Sequence, residues 1–317
     1  MRPNITKKRS FVFIFCFISL AYIVVVLVLD EHLSFDVLDV IKLRDVVSIL
    51  SLFVLSIFIR YVRWHFLMKS QRISHDFVKG FFFYVAGFAY TATPGKVGEL
   101  SRVIHYRSVG VSSDIVISNF IIERFFDLVV VLLMASTIFL IFPDLKIIAF
   151  SIIIMIGGLF IFSINVRLSK KFCKKIVRNK KFKVARFSCL IYKVLLNINH
   201  RMNIKVALSC FVLGGAAWTC TSFILIYACH MFNVNISPIQ IFSVYPTAML
   251  SGAVSFIPGG IGATEAVIVF LLNQFDAPIP VASTVALLVR FSTLWLAMFI
   301  GILCTFISSL YIEKHSN

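Results

Sequence analysis

Apolar residues in this chain gather in long unbroken runs, and several of the runs have the length of a membrane crossing. A helical crossing needs about 20 apolar residues. Residues 11–29 meet that length without a charge and follow Lys7, Lys8 and Arg9. They share the basic-then-apolar order of a signal peptide, but the run is long and no small-x-small cleavage site follows, so the pattern predicts a retained helix entered from the cytoplasmic side. Residues 30–45 hold five acidic and two basic side chains in amphipathic alternation, which suits the outer surface. Residues 46–61 return inward, with Arg60 and Arg63 placed to snorkel. Residues 115–142 are long enough to cross with tilt although they contain Glu123, Arg124 and Asp127, and a turn at 143–146 leads into uncharged 147–164. Residues 206–229 go out again, and 281–312 come back with Arg290 as their only charge.

Two apolar stretches are left over, 80–106 and 239–275, each interrupted by a Pro-Gly turn. Both predict a helix-break-helix hairpin that enters and leaves on one side, because broken backbone at membrane depth is tolerated only where protein or a wet cavity satisfies it. The expected fold is an all-α polytopic membrane protein of about six spanning helices plus two broken re-entrant helical hairpins. The organisation is a single integral membrane domain over 1–317, with a first repeat at 46–142, a basic cytoplasmic loop at 167–203 and a second repeat at 206–312.

Composition and charge sharpen this picture. With 60% apolar and 14% charged residues among 317, the chain has too little charge to cover a soluble surface, which excludes a water-soluble enzyme. The net charge of +17 would suggest nucleic acid in a soluble protein, but its placement points to topology instead. Residues 167–201 hold twelve Lys/Arg and no acid, and no Asp or Glu occurs between Asp144 and Glu265. A loop so basic is cytoplasmic by the positive-inside rule, which puts both termini inside at the plasma (inner) membrane and calls for no nucleic-acid partner. Seven cysteines lie in apolar runs or in the basic stretch without metal-ligand spacing, so neither a disulfide framework nor a metal or cofactor site is assigned.

The two breaks resemble each other. The first reads Pro94-Gly95-Lys96-Val97-Gly98-Glu99 and the second Pro258-Gly259-Gly260-Ile261-Gly262-Ala263-Thr264-Glu265. Glu99 stands 25 residues before Arg124, and Glu265 stands 25 before Arg290, each arginine being followed by Phe. Because one hairpin follows a helix ending inside and the other a helix ending outside, the halves form an inverted repeat, which is a transporter architecture.

The chemistry-bearing positions follow from the breaks. Gly95 and Gly98 let backbone approach a ligand, and exposed N–H groups with Lys96 and Arg102 nearby would bind an anion such as a lipid phosphate. The alternative is that the glycines only allow tight packing. Gly259, Gly260 and Gly262 repeat the geometry without an adjacent base, so Arg290 is the natural supplier of charge. An unpaired arginine at that depth costs about 3 kcal/mol, and Glu265 is its candidate partner. Arg124 has Glu99, Glu123 and Asp127 within reach, the last two on one helix face. Either these are ion pairs holding the bundle, or the arginines grip a phosphate while a carboxylate carries a coupling proton. Six of the seven histidines, at 65, 75, 105, 200, 230 and 315, read as surface residues, and Trp64, Trp218 and Trp295 need no site to explain them. No nucleotide or hydrolase motif occurs.

The segments PGKVGELSR, IIERFFD, IPGGIGATEA and LLVRFSTLW resemble the flippase-like transmembrane region of lysylphosphatidylglycerol synthases. The resemblance runs over roughly residues 46–309. It implies a lipid translocase moving an anionic phospholipid or polyprenyl-phosphate-linked lipid between leaflets, with membrane lipids as partners and envelope-biosynthesis proteins or a second copy as further ones. Carried over by motif as substrate-binding positions are Pro94, Gly95, Gly98, Glu99, Arg102, Glu123, Arg124, Asp127, Pro258, Gly259, Gly260, Gly262, Glu265 and Arg290, joined by Lys96. With no room for a synthase domain before Asn317, the expectation is a transporter rather than an aminoacyltransferase. The competing expectations are an intramembrane transferase using Glu99 or Glu123 as base, and a non-catalytic partner docking through the basic loop.

Overall fold

The computed structural model describes residues 41–140, 203–234 and 236–313, and among these there is no strand. The expected crossings at 11–29 and 147–164 and the basic loop at 167–203 lie outside the described residues. Among the described residues, three helical stretches are long and apolar enough to cross a membrane: Leu43–Ser70 (α1), Ile204–Met231 (α5) and Ile279–Tyr311. The last comprises α8 (Ile279–Arg290), a π-helical turn (Phe291–Trp295) and α9 (Leu296–Glu313). A further helix, α4 (Ser113–Ala135), has 23 residues and carries Glu123, Arg124 and Asp127 inward.

Helix starts follow from local chemistry. Asp45 Oδ2 accepts from the Lys42 N–H at 3.0 Å, and its other oxygen accepts from Tyr227 Oη at 2.7 Å, which ties the start of α1 to the end of α5. Asp76 caps α2 (Phe77–Ala86) through the Lys79 N–H, and Asn203 caps α5 through the Val206 N–H. Pro238 opens α6 (Pro238–Val254), where the preformed φ of proline suits a first turn.

The two stretches with Pro-Gly turns, each expected to form a hairpin, are broken helices. In the first, α2 continues as a 3₁₀ turn to Tyr90, the chain breaks at 91–93, and a distorted 3₁₀ segment (Pro94–Ser101) leads into α3 (Arg102–Ser108). In the second, α6 breaks before a short turn at Pro258–Gly260 and resumes as α7 (Ala263–Gln274). At about 1.5 Å per residue, neither α2 with its extension nor α7 reaches the ~30 Å of a hydrocarbon core.

Packing interleaves the two halves of the sequence. α1 lies on α5, α2 on α9 and α4 on α6, while the two Pro-Gly breaks touch each other. Tyr61, Trp64, Tyr84 and Tyr106 form a buried aromatic belt between α1 and the first hairpin, with Trp64 Nε1 donating to Tyr106 Oη at 2.8 Å. These contacts bring the breaks and the charged face of α4 to one place.

Candidate functional site

The breaks share a backbone design. Thr93 is extended, Pro94 starts a tight turn, and Gly95 sits at φ 62°. Ile257 is extended, Pro258 starts the second turn, and Gly259 sits at φ 66°. Gly98 has its N–H on Thr93 Oγ1 at 2.7 Å and faces the Tyr90 carbonyl so closely that no Cβ fits. Lys96, which has a Cβ, also lies in the left-handed region at φ 56°. Such a conformation costs on the order of 1–3 kcal/mol and persists only where surroundings enforce it. Its effect is to hold the Lys96 ammonium 5.7 Å from the centre of the Trp218 ring.

Behind the first break stands a buried ionic cluster. Glu123 accepts on Oε1 from Arg63 Nη2 at 3.0 Å and from Tyr84 Oη at 2.5 Å, and on Oε2 from Arg102 Nη1 at 3.1 Å. Arg63 also donates to Asp127 at 2.7 Å, and Arg102 to Glu99 at 2.7 Å. Arg124 reaches Asp127 at 3.0 Å, Glu123 at 3.5 Å and Glu99 at 3.7 Å. Arg60 approaches Asp127 at 3.7 Å and stacks over Trp218 at 4.9 Å. Arg102, wholly buried, packs its guanidinium over the rings of both Trp64 and Tyr84.

The second half carries a smaller version. Arg290 Nε donates to Glu265 Oε1 at 2.9 Å, and its Nη2 donates to the Gly259 carbonyl at 2.6 Å. Glu265 uses its other oxygen to cap α7, accepting from the Gly262 N–H at 2.8 Å. Arg290 thus staples the second break to the spanning helix just before its π-turn. At this turn Ser292 and Thr293 turn their hydroxyls back onto the helix, donating to the Leu288 and Val289 carbonyls.

Between the breaks lies a cavity of about 130 Å³. Of the residues singled out in the sequence, Gly95, Lys96, Glu99, Arg124, Gly259, Gly260 and Arg290 line it. Arg102, Glu123 and Asp127 stand behind them, while Pro94, Gly98, Pro258, Gly262 and Glu265 shape the breaks. The lining cations are Arg60, Lys96, Arg124 and Arg290, and the lining carboxylate is Glu99. The rest of the wall is largely apolar, with Phe53, Ile57, Phe88, Met249 and Leu294, interrupted by hydroxyl groups such as those of Ser56, Thr91, Thr221 and Thr264.

Several expectations need correction. Arg63 does not snorkel: it is fully buried and bridges Glu123 and Asp127, which makes it a keystone of the cluster. Arg60 turns inward to the cavity rather than out to the headgroups. Trp218 is part of the cavity wall and the platform for two cations, and Trp64 is a platform for Arg102. His65 and His75 are paired, Nδ1 to Nε2, at 3.3 Å, and His105 is buried against Phe83. The sequence showed that Arg60 and Arg63, three apart, share a helix face, but not whether that face turns to the headgroups or to buried partners.

Taken together, a helical bundle with crossing-length apolar segments, and with its charges sequestered around a cavity between two broken helices, defines an integral membrane protein. Residues 11–301 match the family model described as the lysylphosphatidylglycerol synthase TM region, and the chain belongs to that family. It is 30% identical over 113 residues to a phosphatidylglycerol lysyltransferase of Staphylococcus haemolyticus (strain JCSC1435), a match covering 35% of this chain and 14% of that protein. It is 28% identical over 101 residues to the phosphatidylglycerol lysyltransferase of Staphylococcus aureus (strain MRSA252), covering 32% and 12% respectively. The matched stretches are thus a small part of these relatives' length.

Proposed function

We propose that this protein is a lipid translocase that carries an anionic phospholipid or polyprenyl-phosphate-linked lipid between leaflets, its headgroup passing through the cavity between the broken helices. The observation that carries the reading is the convergence of Arg60, Lys96 and Arg124 on a cavity that has one lining carboxylate among the described residues and an otherwise largely apolar lining. A phosphate fits the polar side and acyl or prenyl carbon the apolar side. Arg124 and Lys96 are the headgroup contacts. Arg102, Glu123, Asp127 and Arg63 hold the wall, and Arg290 with Glu265 holds the second break.

The packing supports an inverted repeat of 46–142 and 206–312 with re-entrant hairpins at 80–106 and 239–275. If α1 corresponds to α5, the first hairpin to α6–α7 and α4 to α8–α9, then contact of α2 with α9 is the counterpart of α4 with α6. Contacts of α1 with α5 and of break with break map onto themselves, as elements beside a pseudo-twofold axis must. The Glu-Arg spacing of 25 residues is an ion pair in both halves. On this reading the chain is one membrane domain of the plasma (inner) membrane, with both termini and the basic loop cytoplasmic. The names of the lysyltransferase relatives, which refer to an anionic lipid, fit a headgroup of that kind. A transferase would need a carboxylate free to take a proton, whereas Glu99 and Glu123 each contact at least two arginines.

The test is a leaflet assay in proteoliposomes with fluorescent phosphatidylglycerol. Wild-type protein is expected to expose inner-leaflet lipid to a membrane-impermeant quencher well above the rate of empty vesicles. Arg124→Gln should lower that rate at least tenfold, roughly the ~1.4 kcal/mol of one lost charge contact. A rate indistinguishable between the variant and wild type would sink the assignment of Arg124, and a wild-type rate equal to that of empty vesicles would sink the translocase reading for that lipid.

A further inference from the structure

The charge balance around the cavity narrows the ligand further. Five cations, Arg60, Arg63, Lys96, Arg102 and Arg124, are gathered with three carboxylates, Glu99, Glu123 and Asp127, which leaves two positive charges over. The second half adds none, because Arg290 and Glu265 neutralise each other.

The excess is localised. Arg63 and Arg102 are each bound to two carboxylates within 3.1 Å. Arg60 has Asp127 at 3.7 Å, and Lys96 has no carboxylate in ion-pair contact among the described residues. Both rest instead on the face of Trp218. Arg124 lines the same cavity, and its buried Nε has no hydrogen-bond partner. An aromatic face is a weaker partner for a cation than a phosphate oxygen, so Trp218 holds the two cations in place for something better. The strained backbone at Lys96 fits this, since strain of that kind persists at ligand clamps.

We infer, building on the headgroup reading above, that the cavity selects a phosphate group carrying at least two negative charges, a phosphomonoester or a diphosphate, over a phosphodiester. A diester brings one charge and leaves one of the cations on Trp218 without an anionic partner. A dianion between Arg60, Lys96 and Arg124 neutralises the cluster. The apolar wall marks the source as a lipid-borne group rather than a free one.

The test is a binding measurement by tryptophan fluorescence on purified protein in phosphatidylcholine nanodiscs at pH 7.5, above the second phosphate pKa of about 6. The probes are farnesyl diphosphate, dihexanoyl phosphatidic acid, dihexanoyl phosphatidylglycerol and inorganic pyrophosphate. Farnesyl diphosphate and phosphatidic acid, each with more than one negative charge, should bind at least about tenfold tighter than the diester, the ratio for one extra charge contact of ~1.4 kcal/mol. Lys96→Gln should bring that ratio close to one while the protein keeps its wild-type thermal unfolding, and Arg60→Gln should do the same independently. Equal affinity for phosphatidylglycerol, or a preference unchanged in both variants, overturns the inference and leaves the translocase reading standing. Pyrophosphate binding as tightly as farnesyl diphosphate overturns the lipid source, and binding by none of the four overturns both readings.

Discussion

Glu123 carries more of this structure than any other charged side chain, because its two oxygens join α1, the first hairpin and α4. A carboxylate at that depth is tolerated only while its partners are complete. Removing one charge from a buried cluster leaves the others uncompensated and costs about 3–5 kcal/mol. Glu123→Gln is therefore expected to lower stability by roughly that amount in detergent unfolding, whereas Lys96→Gln, which breaks no ion pair, should cost less than about 1 kcal/mol. The reverse order would contradict the division between cluster and headgroup contacts. Much of this was legible beforehand. The i, i+4 spacing put Glu123 and Asp127 on one face, and the depth of Arg290 demanded Glu265. Arg63 was not legible, because an arginine near the end of an apolar run satisfies the same pattern whether it reaches outward to headgroups or inward to a carboxylate. Only the tertiary placement of α4 against α1 decides between them.

Helices and their connections were read with similar unevenness. The start of α6 was legible because Pro238 marks it, and both breaks because Pro-Gly cannot continue a helix. The π-turn at Phe291–Trp295 was not, since a single extra residue within a run apolar on all sides leaves no mark on hydropathy. Close helix contact was equally hidden. Gly301 on α9 abuts the Phe88–Ala89 peptide, whose Phe88 carbonyl carbon would lie 2.7 Å from an added Cβ. Gly301→Val should accordingly push α9 off the first hairpin and lower the unfolding temperature, while the same change at Gly215, where a Cβ meets nothing within 4 Å, should not. The connection from α1 to α2 carries a pH dependence. Burial, with His65 adding to it, pushes the His75 imidazole down to about 4, against ~6.5 in an unfolded chain. Between those values the unfolded chain takes a proton that the folded chain refuses, so stability falls as pH drops through that window. Unfolding temperatures at pH 7.5 and pH 5 should differ in that direction, and His75→Gln should narrow the gap.

Across the whole molecule, the meeting of the breaks is the feature most sensitive to how the two halves move. The sequence foretold two similar breaks but not that they touch, because hydropathy orders segments along the membrane normal and says nothing about lateral neighbours. In the structure, a Cβ added at Gly259 would lie 3.4 Å from Ala92 Cβ. That separation is close to the ~3.8 Å mean across a disulfide. If headgroups pass by rearrangement of one broken helix against the other, then a bridge between Ala92→Cys and Gly259→Cys, in a background with the native cysteines replaced, should stop translocation. Reduction should restore it. The positive φ of Gly259 makes the second substitution costly, so the reduced double variant provides the baseline for fold and rate. Lipid transfer that continues at the baseline rate with the bridge fully formed would mean that the breaks form a fixed wall, and that the headgroup path opens elsewhere in the bundle.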